Sequence, residues 1–349
     1  ISDKLQPHVI SMNDKVTLHA IWEPDNVFSI LSIPFRILKL RPDLVHFNLH
    51  MAVFGKTRLA NFVGLSIPFL CRLMGIPCIV TLHNIVERIK IEKTGMKNTF
   101  LNRLGTFLAT KLLTLSSLLT VTVRSYVGFL RRRYKASKIR WVPHGAWNVK
   151  FSNPVKVGNP HNILYFGHHG PYKDPKLLFD AIRILSRKRG VKLTIAGSSH
   201  PNYPNFLEEH KSNNNLPNAH FLGFVPNDLI PDLFRKVNLL VLPYHTCTGT
   251  SGVAHLAASY GVPIVATDLP ELRELANEGC GIVFCSHDPV SLAERIEYVL
   301  DNSEVAFELR ERNLRFVQDR TWDKIARAFE KCYCEVLRRR YESARVTPN

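Results

Sequence analysis

The stretch NILYFGHHGPYKDPKLLFDAIRILSRKRGVKLTIAG, residues 162–197, contains a strand, a loop, a helix and a second strand in succession. NILYFG (162–167) is a short apolar run bounded by glycine, which reads as a strand. PKLLFDAIRILSRKRG (175–190) carries apolar residues at helical spacing and is expected to be capped by Gly190. KLTIAG (192–197) is again a strand. A helix of this length between two such strands is the unit from which parallel sheets are built.

The pattern continues toward the C-terminus. AHFLGF (219–224), NLLVLPY (238–244), PIVATD (263–268) and GIVF (281–284) are further strands, separated by helical segments as a doubly wound sheet requires. A last helix is expected over about 321–340. In the other direction, LVHF (44–47), PCIVTLH (77–83) and LLTVTV (118–123) alternate with helical stretches 55–74 and 98–115, and a short strand falls in RWVPHGAW (140–147). Residues 148–160, NVKFSNPVKVGNP, are polar and rich in Pro and Gly, the composition of a linker. The sequence therefore predicts an N-terminal α/β domain over 1–148, a linker over 149–160, a second α/β domain over 161–320 and a C-terminal helix over 321–349 that packs back on the first domain. There is no internal repeat and no low-complexity tract.

A chain of 349 residues is long for a single core, which agrees with two domains. Its net charge of +17 is unevenly spread: residues 1–150 hold 22 Lys and Arg against 7 Asp and Glu, and the rest hold 24 against 22. This asymmetry points to an anionic partner for the first half. The basic run Arg131–Arg132–Arg133–Tyr134–Lys135, with Arg88, Lys90, Lys93 and Lys97, lies near the apolar segments 26–40 and 59–74. That combination suits docking on an anionic membrane surface, with a solvated basic face as the alternative. Nucleic acid ranks below both, because no recognition helix or RNA-binding motif is present. The most apolar stretch, 99–123, is interrupted by Arg103 and Lys111, so no transmembrane span is predicted. Seven cysteines lack paired zinc spacing and read as reduced thiols, which suggests a cytoplasmic protein.

Three junctions in the second half are candidates for chemistry. In YFGHHGPYKD (165–174), Gly167 and Gly170 permit close backbone approach and Lys173 supplies a cation just before a helix start. An ordinary polar turn is the competing reading. In TCTGTSGVAHLAASYGVP (246–263), Thr248–Gly252 precede an apolar helix, where N–H groups and hydroxyls bind diphosphate or sugar; simple capping is the competing reading. In FLGFVP (221–226), exposed backbone after the strand could read a base edge.

Taken together these segments resemble the donor domain of GT-B glycosyltransferases, particularly glycosyltransferase family 4. The likeness runs from about 40 to 335. RPDLVHFN (41–48), GIPCIVTLHN (75–84), VTVRSYVGFLRRRY (121–134) and VPHG (142–145) look like the family's acceptor-domain landmarks. YFG followed by Lys173, TIAG, FLGFVP, VLPY, SGVAHLAASYGVPIVATD and PEL follow in the family's order. The resemblance implies a GT-B fold of two Rossmann-like doubly wound domains facing across a cleft. It implies retaining transfer of a sugar from a UDP- or GDP-linked co-substrate to a lipid-linked or polysaccharide acceptor, with no cofactor and no bound metal.

By the same resemblance, Lys173 stabilises the departing diphosphate and His83, in TLHN, orients the sugar or stabilises the transition state. Gly167, His168, Gly197, Phe224, Val225, Thr250, Ser251, Gly252 and Val253 would contact the donor. Two departures stand out. His168 occupies a position where the family usually has Arg, and the family's two glutamates, spaced eight apart, align with Thr248 and Leu256. Glu271, in LPEL, reads more readily as a surface carboxylate than as a contact. These departures support a second reading, a silent nucleotide-sugar-binding subunit; a GT-B sugar-nucleotide epimerase is the third. Family members also open with a strand and a glycine-rich loop, for which nothing precedes His8–Val9–Ile10, so the first domain is expected to lack its first strand.

Overall fold

The computed structural model describes residues 8–13, 15–88, 99–149, 161–201, 203–213, 216 and 218–346. The chain divides into two compact units. Among the described residues, one comprises those up to Pro143 together with those from Ala326 onward; the other is His144–Ile325. The boundary therefore falls within RWVPHGAW rather than after it. Most of the expected linker, residues 150–160, lies outside the described residues, as do Lys90, Lys93 and Lys97.

In the first unit β1 (His8–Asn13) and β2 (Val16–Ala20) form an antiparallel hairpin apart from the main sheet. There follow α1 (Val27–Leu40), β3 (Val45–Leu49), α2 (Arg58–Leu73), β4 (Cys78–Leu82), α3 (Phe100–Leu113), β5 (Leu118–Val121), α4 (Arg124–Tyr134) and β6 (Ile139–Trp141). Strands β3 to β6 pair in that order, all parallel. CIVTL and LLTV are buried at every position, because a parallel sheet with crossover helices is covered on its faces. Side chains of Asn26, Thr57 and Thr99 cap the starts of α1, α2 and α3. Among the described residues β3 is an edge strand of this sheet, and β1 pairs with β2 instead of joining it.

The second unit contains β7 (His161–Phe166), α5 (Pro175–Ser186), β8 (Val191–Ala196), α6 (Phe206–Asn213), β9 (Ala219–Gly223), α7 (Ile230–Arg235), β10 (Leu239–Leu242) and α8 (Gly252–Ser259). It continues through β11 (Ile264–Thr267), α9 (Pro270–Asn277), β12 (Ile282–Cys285), α10 (Pro289–Asp301), α11 (Ser303–Gln318) and the start of α12 (Trp322–Val346). The strands pair in the order β9-β8-β7-β10-β11-β12, all parallel, which is the doubly wound order with its reversal between β7 and β10. Alternate residues of each strand enter separate cores. Leu164, Leu240 and Ile264 belong to one, and Ile163, Leu239 and Val265 to the other.

Helix α5 ends at Ser186, four residues before the expected cap. The N–H groups of Lys188 and Arg189 both donate to the Leu185 carbonyl, and the chain turns there because Leu185 is the last core position before β8. Helix α12 groups with the first unit from Ala326 onward. There Tyr333 hydrogen-bonds His46 on β3 at 2.8 Å, and Arg140 pairs with Glu335 at 2.8 Å. The other ring nitrogen of His46 meets Thr81 at 2.7 Å, which meets Thr120 at 2.7 Å, so one polar thread crosses three strands.

In the second unit Asn313 on α11 is fully buried. Its Oδ1 accepts from the Gly281 N–H at 2.7 Å and its Nδ2 donates to the Val262 carbonyl at 2.8 Å, tying the helix to the starts of β11 and β12. Asn313→Ala leaves two backbone groups buried without partners, so it should cost about 2–4 kcal/mol. Urea unfolding is the check: the transition of the second unit should move to lower concentration with its slope unchanged.

Candidate functional site

A doubly wound sheet binds ligands outside the carboxyl ends of its strands where the winding reverses. Here that point is flanked by the loops after β7 and β10, which carry Gly167–Asp174 and Pro243–Ser251. Lys173 is 7% exposed, a burial that its place in a polar loop before a helix start does not reveal in the sequence. Its ammonium stands 5.4 Å from the centroid of the Tyr244 ring. Burial lowers its pKa to about 8, with Cys247 opposing the shift, and it forms no ion pair with a carboxylate among the described residues. The group remains mainly protonated at neutral pH, so this is a positive charge held out of water without a counterion.

The loop holding it is closely packed. A Cβ built on Gly167 would lie 2.8 Å from Lys173 Nζ and 3.1 Å from a Val253 methyl, so Gly167, Lys173 and the start of α8 are brought together. Gly197 has φ +117, and a Cβ there would lie 2.0 Å from the Gly167 carbonyl oxygen. Only a residue without a side chain permits that approach. The Gly197 N–H donates to the Gly223 carbonyl at 2.7 Å, which sets the loop carrying Phe224 and Val225 beside the first two. Phe224 is 72% exposed, whereas Val225 packs against the core.

Ser251 caps α8, its hydroxyl accepting from the Ala254 N–H at 3.2 Å. That leaves the N–H groups of Gly252 and Val253 without partners inside the helix, at the end where the helix dipole favours an anion. The buried Thr250 hydroxyl has no hydrogen-bond partner among the described residues. His168 is exposed, with Nδ1 3.1 Å from the Ser198 hydroxyl; burial and the charge on Lys173 both lower its pKa, keeping it neutral at pH 7. His83 belongs to the first unit, just past β4, where it is half-buried and hydrogen-bonded to the Asn48 side chain.

Several neighbours escaped sequence reasoning. His169 is buried with its pKa pushed down to about 3 by desolvation first and Lys173 second; Nε2 donates to the Ala196 carbonyl at 3.1 Å. His144 belongs to the second unit, and its Nε2 lies 3.6 Å from where a Cβ on Gly252 would sit. Its ring also packs against that of His255, tilted by 47° with centroids 4.8 Å apart. VPHG was visible in the sequence, but its spacing placed it with the first domain. Glu271 is only 5% exposed, at the first turn of α9, which corrects its reading as a surface carboxylate. Leu256, where the family has a glutamate, packs against the core.

Residues 160–302 match the family described as Glycosyl transferases group 1. A glycosyltransferase of Methanocaldococcus jannaschii is 28% identical over 174 residues, 50% of this chain and 48% of that one, so the chain spans about half the length of this curated relative. Sucrose-phosphate synthase from Thermosynechococcus elongatus has a similar structure, with TM-score 0.74 and 18% identity over 96% of this chain and 86% of that one. Anabaena HepE in complex with UDP gives TM-score 0.66 and 18% identity, covering 88% and 82%. These structural likenesses show the fold, α/β of the GT-B glycosyltransferase type.

Because only the protonated lysine attracts an anion, the ratio of wild-type to Lys173→Met affinity for pyrophosphate, in which the ligand's own ionisation cancels, should be level up to about pH 7.5 and fall as pH rises through about 8. Below pH 7.5 that ratio should be roughly 10–100, the contribution of a hydrogen bond to a charged group. Calorimetric titration between pH 6 and 9 measures both.

Proposed function

We propose that this chain, whose second unit carries a glycosyl transferases group 1 domain, is a retaining glycosyltransferase that takes a sugar from a uridine diphosphate donor and passes it to a lipid-linked or polysaccharide acceptor. The observation that carries the reading is the buried, uncompensated ammonium of Lys173 beside the start of α8, at the point where the sheet reverses. The diphosphate lies against Lys173 and the N–H groups of Gly252 and Val253. The base lies toward Phe224 and Val225, and Thr250 offers its hydroxyl to the donor. As the bond from the sugar to the diphosphate breaks, charge grows on the leaving oxygen and Lys173 opposes it. The acceptor hydroxyl replaces the diphosphate on the same face of the sugar. The choice of uridine rests on Anabaena HepE, whose complexes hold UDP and UDP-glucose.

Leu256 and neutral His168 favour a second reading, a subunit that binds donor without transferring it. Melting curves with UDP, GDP and ADP, followed by assay of UDP released from UDP-sugars in the presence of membrane lipid extract, separate the two. Selective stabilisation by UDP with release that falls roughly 10²–10³-fold in Lys173→Ala supports transfer. Binding without release supports the silent subunit, and equal release by the variant removes the diphosphate role.

The acceptor side is read from charge and exposure. Helices α1, α2 and α3 are neighbours in the first unit, and none of the three contains an Asp or Glu. Phe28, Phe35, Leu59, Phe100 and Leu101 on them are each more than half exposed, beside exposed Lys39, Arg58, Arg72 and Arg103. Aromatic and leucine side chains with cations and no carboxylates suit an anionic lipid surface, each cation contributing about 1 kcal/mol there. Arg133 of the basic run is partly engaged elsewhere, pairing with Glu87 at 3.6 Å and lying over the Phe107 ring. No helix of the described residues is long and apolar enough to cross a membrane.

Phe28→Glu/Phe35→Glu/Phe100→Glu should therefore lower partition onto phosphatidylserine vesicles at least tenfold in a sedimentation assay. UDP binding should stay unchanged. Vesicle binding that survives these changes would place the lipid contact away from α1, α2 and α3 and overturn this reading of the face.

A further inference from the structure

Three loops at the carboxyl ends of the second unit's strands bring Asp174, His245 and His287 together. Asp174 follows β7, His245 follows β10, and His287 follows β12. One ligand atom from each lies within 4.8 Å of the others. Nε2 of His287 is 3.0 Å from Asp174 Oδ2 and 3.4 Å from His245 Nδ1. The geometry points to a divalent metal site for zinc, formed by these three side chains and separate from the groups assigned to the donor.

The chemistry of the contact argues for a cation. One imidazole nitrogen carries either one proton or one lone pair, so Nε2 of His287 serves one of its two neighbours fully as a hydrogen-bond partner. A shared cation serves all three ligands at once. Zinc bonds to imidazole nitrogen and carboxylate oxygen are about 2.0–2.2 Å, which places tetrahedral ligand atoms about 3.3 Å apart. The two measured separations bracket that value, and the third pair closes by side-chain rotation. Two histidines and one carboxylate suit zinc, and three protein ligands leave a fourth position for water.

The backbone is already arranged to hold the ligands. Asp174 has φ +37, and its Oδ1 accepts from the Leu177 N–H at 3.2 Å, capping α5 and leaving Oδ2 directed at His287. The His245 N–H donates to the Tyr172 carbonyl at 2.8 Å, so two ligand-bearing loops are already joined one residue from Lys173. Zinc here is a clamp on the loop that carries Lys173. The site does not require sugar transfer, so its test stands apart from that of the proposed function.

The test is zinc titration of the whole chain after dialysis against a chelator, with zinc retained after desalting and melting temperature as readouts. Wild type should retain one zinc more than His245→Ala/His287→Ala and should melt about 5–10 °C higher at a hundredfold excess of zinc over Kd. Asp174→Asn provides a second variant, because Asn preserves the helix cap while weakening the ligand. It should lose most of the zinc-induced shift while keeping its metal-free melting temperature. Equal retention and shift in wild type and both variants would place the zinc at other histidines or cysteines and overturn the proposal. So would a wild type that neither retains zinc nor responds to it.

Discussion

The second unit is organised around a positive charge buried without a partner. Taking Lys173 from its ordinary pKa to about 8 amounts to a cost on the order of 3 kcal/mol at neutral pH, which is relieved only as pH rises from about 8 to 10.5. The fold tolerates this because the rest of the unit is well satisfied. Both cores are apolar, and the buried Asn313 has partners for its amide. An arriving anion would restore the attraction that burial removed. That is the physical sense of placing the lysine where α8 presents unpaired N–H groups.

The same constraint explains the glycines. For Lys173 to lie in the loop with its ammonium against Gly167, the chain after β7 must run close to the chain after β8. The Gly167 carbonyl and Gly197 meet at a distance that no Cβ allows. The Gly197 N–H then reaches the Gly223 carbonyl, so three adjacent strand ends are drawn into one row. That row is where the proposed donor would lie, and Leu256, at the replaced glutamate position, packs against the core.

The first unit meets a different demand. Its sheet is buried in the usual manner of crossover folds, yet α1, α2 and α3 leave large apolar side chains uncovered. The absence of carboxylates from these helices removes the repulsion that an anionic surface would otherwise meet.

Much of this was legible in residue order. Strand and helix alternation, the Gly167–Lys173 loop and the capped start at Ser251 are local patterns, and periodicity and turn chemistry report local structure directly. The departures at His168, Thr248 and Leu256 were equally visible, because comparing motifs needs no coordinates. What the tertiary structure alone decided was burial and proximity across the chain. It made Lys173 a desolvated cation rather than a solvated one, and buried Glu271. It moved His144 into the second unit and assembled Asp174, His245 and His287 from loops 42 to 113 residues apart. Desolvation and metal-ligand spacing depend on which strands become neighbours, and strand order is set by the packing of the whole sheet.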